Sequence, residues 1–198
     1  MRFDEDTLRE RNRWKTVSEV PTLPFRSFAE LQGALEEGSY ELDVSYIAAR
    51  ELAPYVRSVG GRILNMLLSV TWLIVIAGVI LAGVLSGRYL LFLGIPVAVG
   101  GHLLGDPLNP LRVLSTKLNA ALAVAVLVAL VNSYAIPAAL LAAFVLSFSA
   151  NRAMYGSNVR ALRLALVKSE ALFLNQYSKR GVRLRRTGTT PIETGGAQ

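Results

Sequence analysis

The sequence predicts an all-α integral membrane protein: two transmembrane helical hairpins, four helices in all, with amphipathic cytoplasmic helices at both ends. Three observations carry this. Of 198 residues, 53% are hydrophobic, and the excess sits in one block. Between Ile63 and Ala150 the only charges are Arg88, Asp106, Arg112 and Lys117, too few for helices that meet water on one face. Polar, glycine- or proline-bearing breaks at 86–88, 106–112 and 132–134 divide the block.

The N-terminal segment, 1–62, reads as cytoplasmic with short helices. Residues 4–14 suit a short charged helix, which Pro21 and Pro24 interrupt because proline cannot continue one. Ser27 followed by Glu30 is a capping-box pattern, so a helix is expected from Phe28, with Leu31 and Leu35 on one face and Gly38 as its stop. A second helix is expected over about 45–57, with Val44, Ile47, Ala48 and Leu52 as its apolar stripe and Pro54 weakening its end. Gly60 and Gly61 form a hinge. The dense charge before residue 26 predicts insertion driven by internal segments, not by a cleaved leader.

The four-helix transmembrane domain spans 63–150. The first segment, 63–85, would measure about 35 Å, enough to cross ~30 Å of hydrocarbon. The second, 89–104, is short and softened by Gly94, Pro96, Gly100 and Gly101. The third covers 114–131. The fourth, 135–150, would measure only about 24 Å. Lys and Arg set orientation. Arg50, Arg57 and Arg62 precede the first segment, Arg112 and Lys117 flank the loop after the second, and Arg152, Arg160 and Arg163 follow the fourth. The two remaining loops hold Arg88 alone. Both termini are therefore expected in the cytoplasm, for a bacterial chain at the inner membrane.

A single amphipathic basic helix is expected over 151–186, lying along the inner leaflet or packing on the N-terminal helices, with a disordered tail over 187–198. Charge is uneven: residues 1–62 hold nine basic and eleven acidic residues, net −2, and 150–198 hold nine basic and two acidic, net +7. Arg160, Arg163, Lys168, Lys179, Arg180, Arg183, Arg185 and Arg186 are the candidate contacts for anionic membrane lipids or a partner. No nucleic-acid-binding module accompanies them, so no nucleic-acid partner is predicted.

Chemistry is sparse. With no cysteine and one histidine, disulfides, thiolate metal sites and paired-histidine haem ligation are excluded, and no catalytic set, cofactor or metal is predicted. His102 and Asp106 share a helix face at i, i+4, and with Arg112 and Lys117 form the one candidate polar site. Small residues recur at four-residue spacing: Gly78, Ala82 and Ser86; Gly83 and Gly87; Gly101 and Gly105. That spacing lets helix backbones approach closely. With the short second and fourth segments, it predicts a homo-oligomer or a subunit of a larger membrane complex. The expected function is a non-enzymatic accessory or scaffold subunit. A small oligomeric channel or transporter is the alternative, and a lipid-headgroup enzyme using His102, Asp106 and Arg112 is the third reading.

Overall fold

The computed structural model of the chain describes residues 5–110 and 112–187, and of 112–114 the backbone alone. Most of the 187–198 tail thus lies outside the described residues. Of the described residues, 75% are helical. It forms two compact units. One comprises the residues up to Ser58 together with those from Asn158 onward, and the other is Val59–Ser157.

The first unit is built from both ends of the chain: α1 (Glu5–Arg11), a 3₁₀ turn at Val17–Glu19, α2 (Phe28–Glu36), β1 (Tyr40–Val44), α3 (Tyr46–Val56), the end of α7 (Ala135–Lys168), α8 (Glu170–Ser178) and β2 (Val182–Arg186). Three of the helix starts have a side-chain cause. Ser27 accepts a hydrogen bond from the Glu30 amide at 3.2 Å, while Glu30 accepts from the Arg26 amide at 2.7 Å. Ser45 caps α3 through the Ala48 amide, and Ser169 caps α8 through the Leu172 amide. Gly38 leaves α2 with φ +72°, a left-handed value that glycine adopts without strain.

One expectation is corrected here. Residues 151–186 are not one helix. α7 ends at Lys168, Ser169 starts a new helix, and 182–186 is a strand. Serine competes for backbone donors and so breaks a helix where its hydroxyl can cap the next one. The chain is mostly helical, consistent with the all-α class, and this unit adds one strand pair that was not expected: β1 and β2 run antiparallel with Leu42 opposite Leu184 and Val44 opposite Val182. Of the two placements expected for the C-terminal segment, the structure shows packing on the N-terminal one, the two forming one core. That core contains Val17, Val20, Leu31, Leu42, Leu162, Leu166, Phe173, Tyr177, Val182 and Leu184.

α8 is the centre of this unit. Seven consecutive residues, Ala171 through Tyr177, are buried, so the helix is surrounded and has no solvent face. Phe173 stacks on Tyr177 at 5.7 Å, and the Tyr177 hydroxyl lies 3.0 Å from Thr22 Oγ1. The two polar members of the run are paired. Asn175 donates to Asn12, and Gln176 donates to Asn175. Leu162, Leu166, Leu172 and Phe173, the apolar stripe expected to meet either the leaflet or the N-terminal helices, are buried in this core.

The second unit holds α4 (Val59–Ser86), a 3₁₀ turn at Tyr89–Leu93, α5 (Gly94–Leu104), α6 (Arg112–Val131) and the first two thirds of α7. Two of these, α4 and α7, are long and apolar enough to cross a membrane; Tyr89–Leu104 and Ser115–Val131 are shorter apolar stretches. The fourth segment is not short. Phe148 to Met154 contains no proline or glycine, so α7 runs on past residue 150 and its 34 residues measure about 51 Å. The apolar side chains of α4 face outward. Only 11% of its most apolar stretch is buried, and Met66, Ile74, Val84 and Leu85 are all more than half exposed.

Candidate functional site

The glycines position the helices of the second unit. A Cβ on Gly101 would sit 2.5 Å from the carbonyl oxygen of Phe144, and one on Gly105 would sit 2.8 Å from that of Phe148. Backbone thus meets backbone where α5 crosses α7. Gly83 is covered by the Phe92 ring. Gly78 has nothing within 4 Å of a Cβ, and Gly87, with φ +64°, makes the turn after α4. Of the predicted packing residues, Gly83, Gly101 and Gly105 therefore serve contacts inside this chain. Gly78, Ala82 and Ser86 form an exposed stripe on α4.

The close approach of α7 brings polar groups to the end of α5. The last four carbonyls of a helix have no partner within it. Here all four are satisfied. Gly101 O accepts from the Gly105 amide at 2.9 Å, and Leu103 O accepts from the Asp106 amide at 3.3 Å. His102 O accepts from Asn151 Nδ2 at 2.7 Å, and Leu104 O accepts from Ser115 Oγ at 3.3 Å. Asn151 and Ser115 are both buried, on α7 and α6. Asn119 donates to Ser149 and Arg152 to Thr116, fastening α6 to α7 at the same level.

His102 and Asp106 lie at this end, each with other partners. The His102 ring stacks on Trp72 of α4, centroids 5.2 Å apart and 28° from parallel. Asp106 Oδ1 accepts from the Leu108 amide at 2.9 Å, an Asx turn that fixes the loop, and Oδ2 accepts from the Tyr155 hydroxyl at 3.5 Å. Lys117 is exposed on α6, and the Arg112 side chain lies outside the described residues. Among the described residues no group of three or more His, Cys, Asp or Glu side chains could hold a metal. What the arrangement does physically is to lock three helices and a loop together. The sequence reading missed Trp72, Asn151 and Tyr155. The last two are four residues apart on one helix face, and that spacing was the available signal.

All eight basic residues predicted to meet lipid or partner belong to the first unit, and all are exposed. On β2 they meet acids. Arg185 stands opposite Glu41 and Arg183 opposite Asp43. Arg185 donates to Glu41 Oε2 at 2.5 Å; that hydrogen bond and the carboxylate's charge, with a smaller part from Asp43, raise the guanidinium above its ordinary pKa. The basic tail is therefore partly offset by the N-terminal strand.

No protein-family model, curated protein or solved structure matches the chain.

Proposed function

We propose that the protein is a non-enzymatic accessory or scaffold subunit of the bacterial inner membrane, with two helical hairpins as its anchor. The unit built from both chain ends would be its cytoplasmic working part. The observation that carries this is the β1–β2 ladder. Paired strands lie about 4.8 Å apart, so residues 40–44 and 182–186 must share one side of any membrane between them. This supports an even number of crossings. The outward-facing apolar surface of α4 supports lipid as the medium, because a soluble core helix would be mostly covered. Arg62, Arg112, Lys117 and Arg152 near one set of helix ends, against Arg88 at the other, support the cytoplasmic side for the two-ended unit. The exposed stripe of Gly78, Ala82 and Ser86 supports self-assembly or docking on another membrane helix.

The native chain has no cysteine, so single-cysteine labelling tests this directly. Cysteines at Ser39, Ser178 and Asn109 should react only from the cytoplasmic side, and those at Ser86 and Ser133 only from the other. Labelling of Ser39 and Ser178 from opposite sides would overturn the proposal, and labelling of Asn109 from the outside would reduce four crossings to two.

One observation favours the channel or transporter reading. Asn65 Oδ1, Asn119 Oδ1, Ser147 Oγ and Asn151 Oδ1 are buried in the helical unit without a protein hydrogen bond. Water or solute along a path would satisfy them. Solute flux through liposomes carrying the protein, abolished by Ser147→Leu, would establish that reading over the scaffold.

A further inference from the structure

At the turn between α4 and α5, the chain builds a cleft that the polar cluster does not use. Gly87 reverses the direction, and Arg88 follows with a non-helical backbone (φ −96°, ψ 78°) before the 3₁₀ turn begins. Two apolar grooves open on either side of Arg88. The larger, of about 680 Å³, is lined by Leu90, Phe92, Leu93, Pro96 and Ile136. The smaller, of about 400 Å³, shares Arg88 and Ile136 with it. Both fall within the usual size of small-ligand sites, ~300–1,000 Å³. The Arg88 guanidinium makes no ion pair or hydrogen bond to any described residue.

An unpaired cation at the mouth of an aliphatic groove complements one class of molecule: an amphiphile with an anionic head and a hydrocarbon chain. Arginine presents a planar fork of donors that matches a phosphate. The orientation rule gives a second reason. It keeps Lys and Arg out of loops on the far side of the membrane, and Arg88 is the sole exception in this chain's helical unit on the four-crossing reading. We infer that this turn binds one anionic phospholipid from the outer leaflet, its phosphate on Arg88 and an acyl chain along Phe92, Pro96 and Ile136. This rests on the reading of the second unit as membrane-embedded.

The test uses the full chain in nanodiscs of equal phosphatidylglycerol and phosphatidylcholine, followed by mild detergent extraction and mass spectrometry of the retained lipid. The wild type should retain phosphatidylglycerol about tenfold over phosphatidylcholine: both offer the phosphate, but the choline cation of the second repels the Arg88 guanidinium. Arg88→Gln should remove the preference while some lipid of both kinds remains. Ile136→Trp should fill the groove and lower retention of both. If that variant unfolds, Leu93→Trp, at a position 55% exposed, fills the same groove. Equal retention of the two lipids by the wild type, or an undiminished preference in Arg88→Gln, overturns the site. Groove-filling variants that retain lipid like the wild type overturn the chain's placement. A chain that does not incorporate into nanodiscs at all overturns the membrane reading on which the site rests, and so separates the two failures.

Discussion

The Nδ2 of Asn175 donates to the Oδ1 of Asn12 at 2.9 Å, a buried bond between residues 163 positions apart. Asn12 in turn donates to the Ala171 carbonyl at 2.8 Å. The pair therefore ties α8 to the chain just beyond α1. Asn12→Ala leaves the Asn175 side-chain amide buried without its acceptor and takes a second donor from the Ala171 carbonyl, at a cost of about 1–3 kcal/mol. In a Trp72→Phe background Trp14 is the sole indole, and it packs on the core of the same unit. Its fluorescence should show a clearly lowered denaturant midpoint for Asn12→Ala. An unchanged midpoint would mean the network contributes no stability.

The strand pair separates packing from charge. Leu184 is fully buried, and Leu184→Ala should cost about 2–5 kcal/mol. Its neighbour Arg185 is in an exposed ion pair, where solvent screens the attraction. Arg185→Gln should leave the same Trp14 midpoint unmoved within error. The reverse order of effects would show that the ladder is held by its ion pairs.

Adjacent glycines on α5 make a controlled comparison. Gly101→Ala places a methyl group against the Phe144 backbone, which cannot rotate aside, whereas Gly100 has open space. Thermal unfolding of the full chain in detergent should fall for Gly101→Ala. It should hold or rise slightly for Gly100→Ala, by at most ~1 kcal/mol from helix propensity.

Self-assembly, if it uses the exposed stripe of α4, responds to a different position. Gly78→Leu should lower the particle mass measured in nanodiscs without lowering thermal stability, because Gly78 touches nothing in its own chain. A wild type that stays monomeric at high concentration would assign the anchor to a single copy or to a foreign helix.

The exposed basic residues of α7 predict an electrostatic contact with the leaflet. Leu164 is 58% exposed beside Arg160, Arg163 and Lys168. A cysteine at Leu164 should react with a water-soluble maleimide more slowly in anionic than in zwitterionic nanodiscs. The difference should vanish at 1 M salt, where charge is screened over ~3 Å. Equal rates at low salt would remove lipid as the partner of this face.

Much of the local structure was legible because its cause is local. Ser27 with Glu30 and Ser45 before the Ala48 amide are caps that need no tertiary information. The apolar run from Ile63 needs only length and composition. The strands were missed although Tyr-Glu-Leu-Asp-Val alternates apolar and charged residues, the mark of a half-buried strand, and Val-Arg-Leu-Arg-Arg does so in its first four. What neither segment shows by itself is its partner, 138 or more positions away. The partners of His102 were hidden for the same reason. Trp72 reaches its ring from α4, and Asn151 reaches its carbonyl only once Gly101 and Gly105 have let α7 approach α5.

The β1–β2 ladder also fixes an order of events during synthesis. The strand that β1 pairs with, and the α8 that fills its core, are translated after the last apolar segment. On the membrane-spanning reading, the first 58 residues therefore wait with Val17, Val20 and Leu31 uncovered until insertion is complete. A chain that skipped one crossing would leave its two halves facing different compartments, and neither could bury its apolar residues. Completion of this unit is thus available as a readout of correct insertion, and a half left alone would present the uncovered hydrophobic surface that proteolysis and chaperones act on.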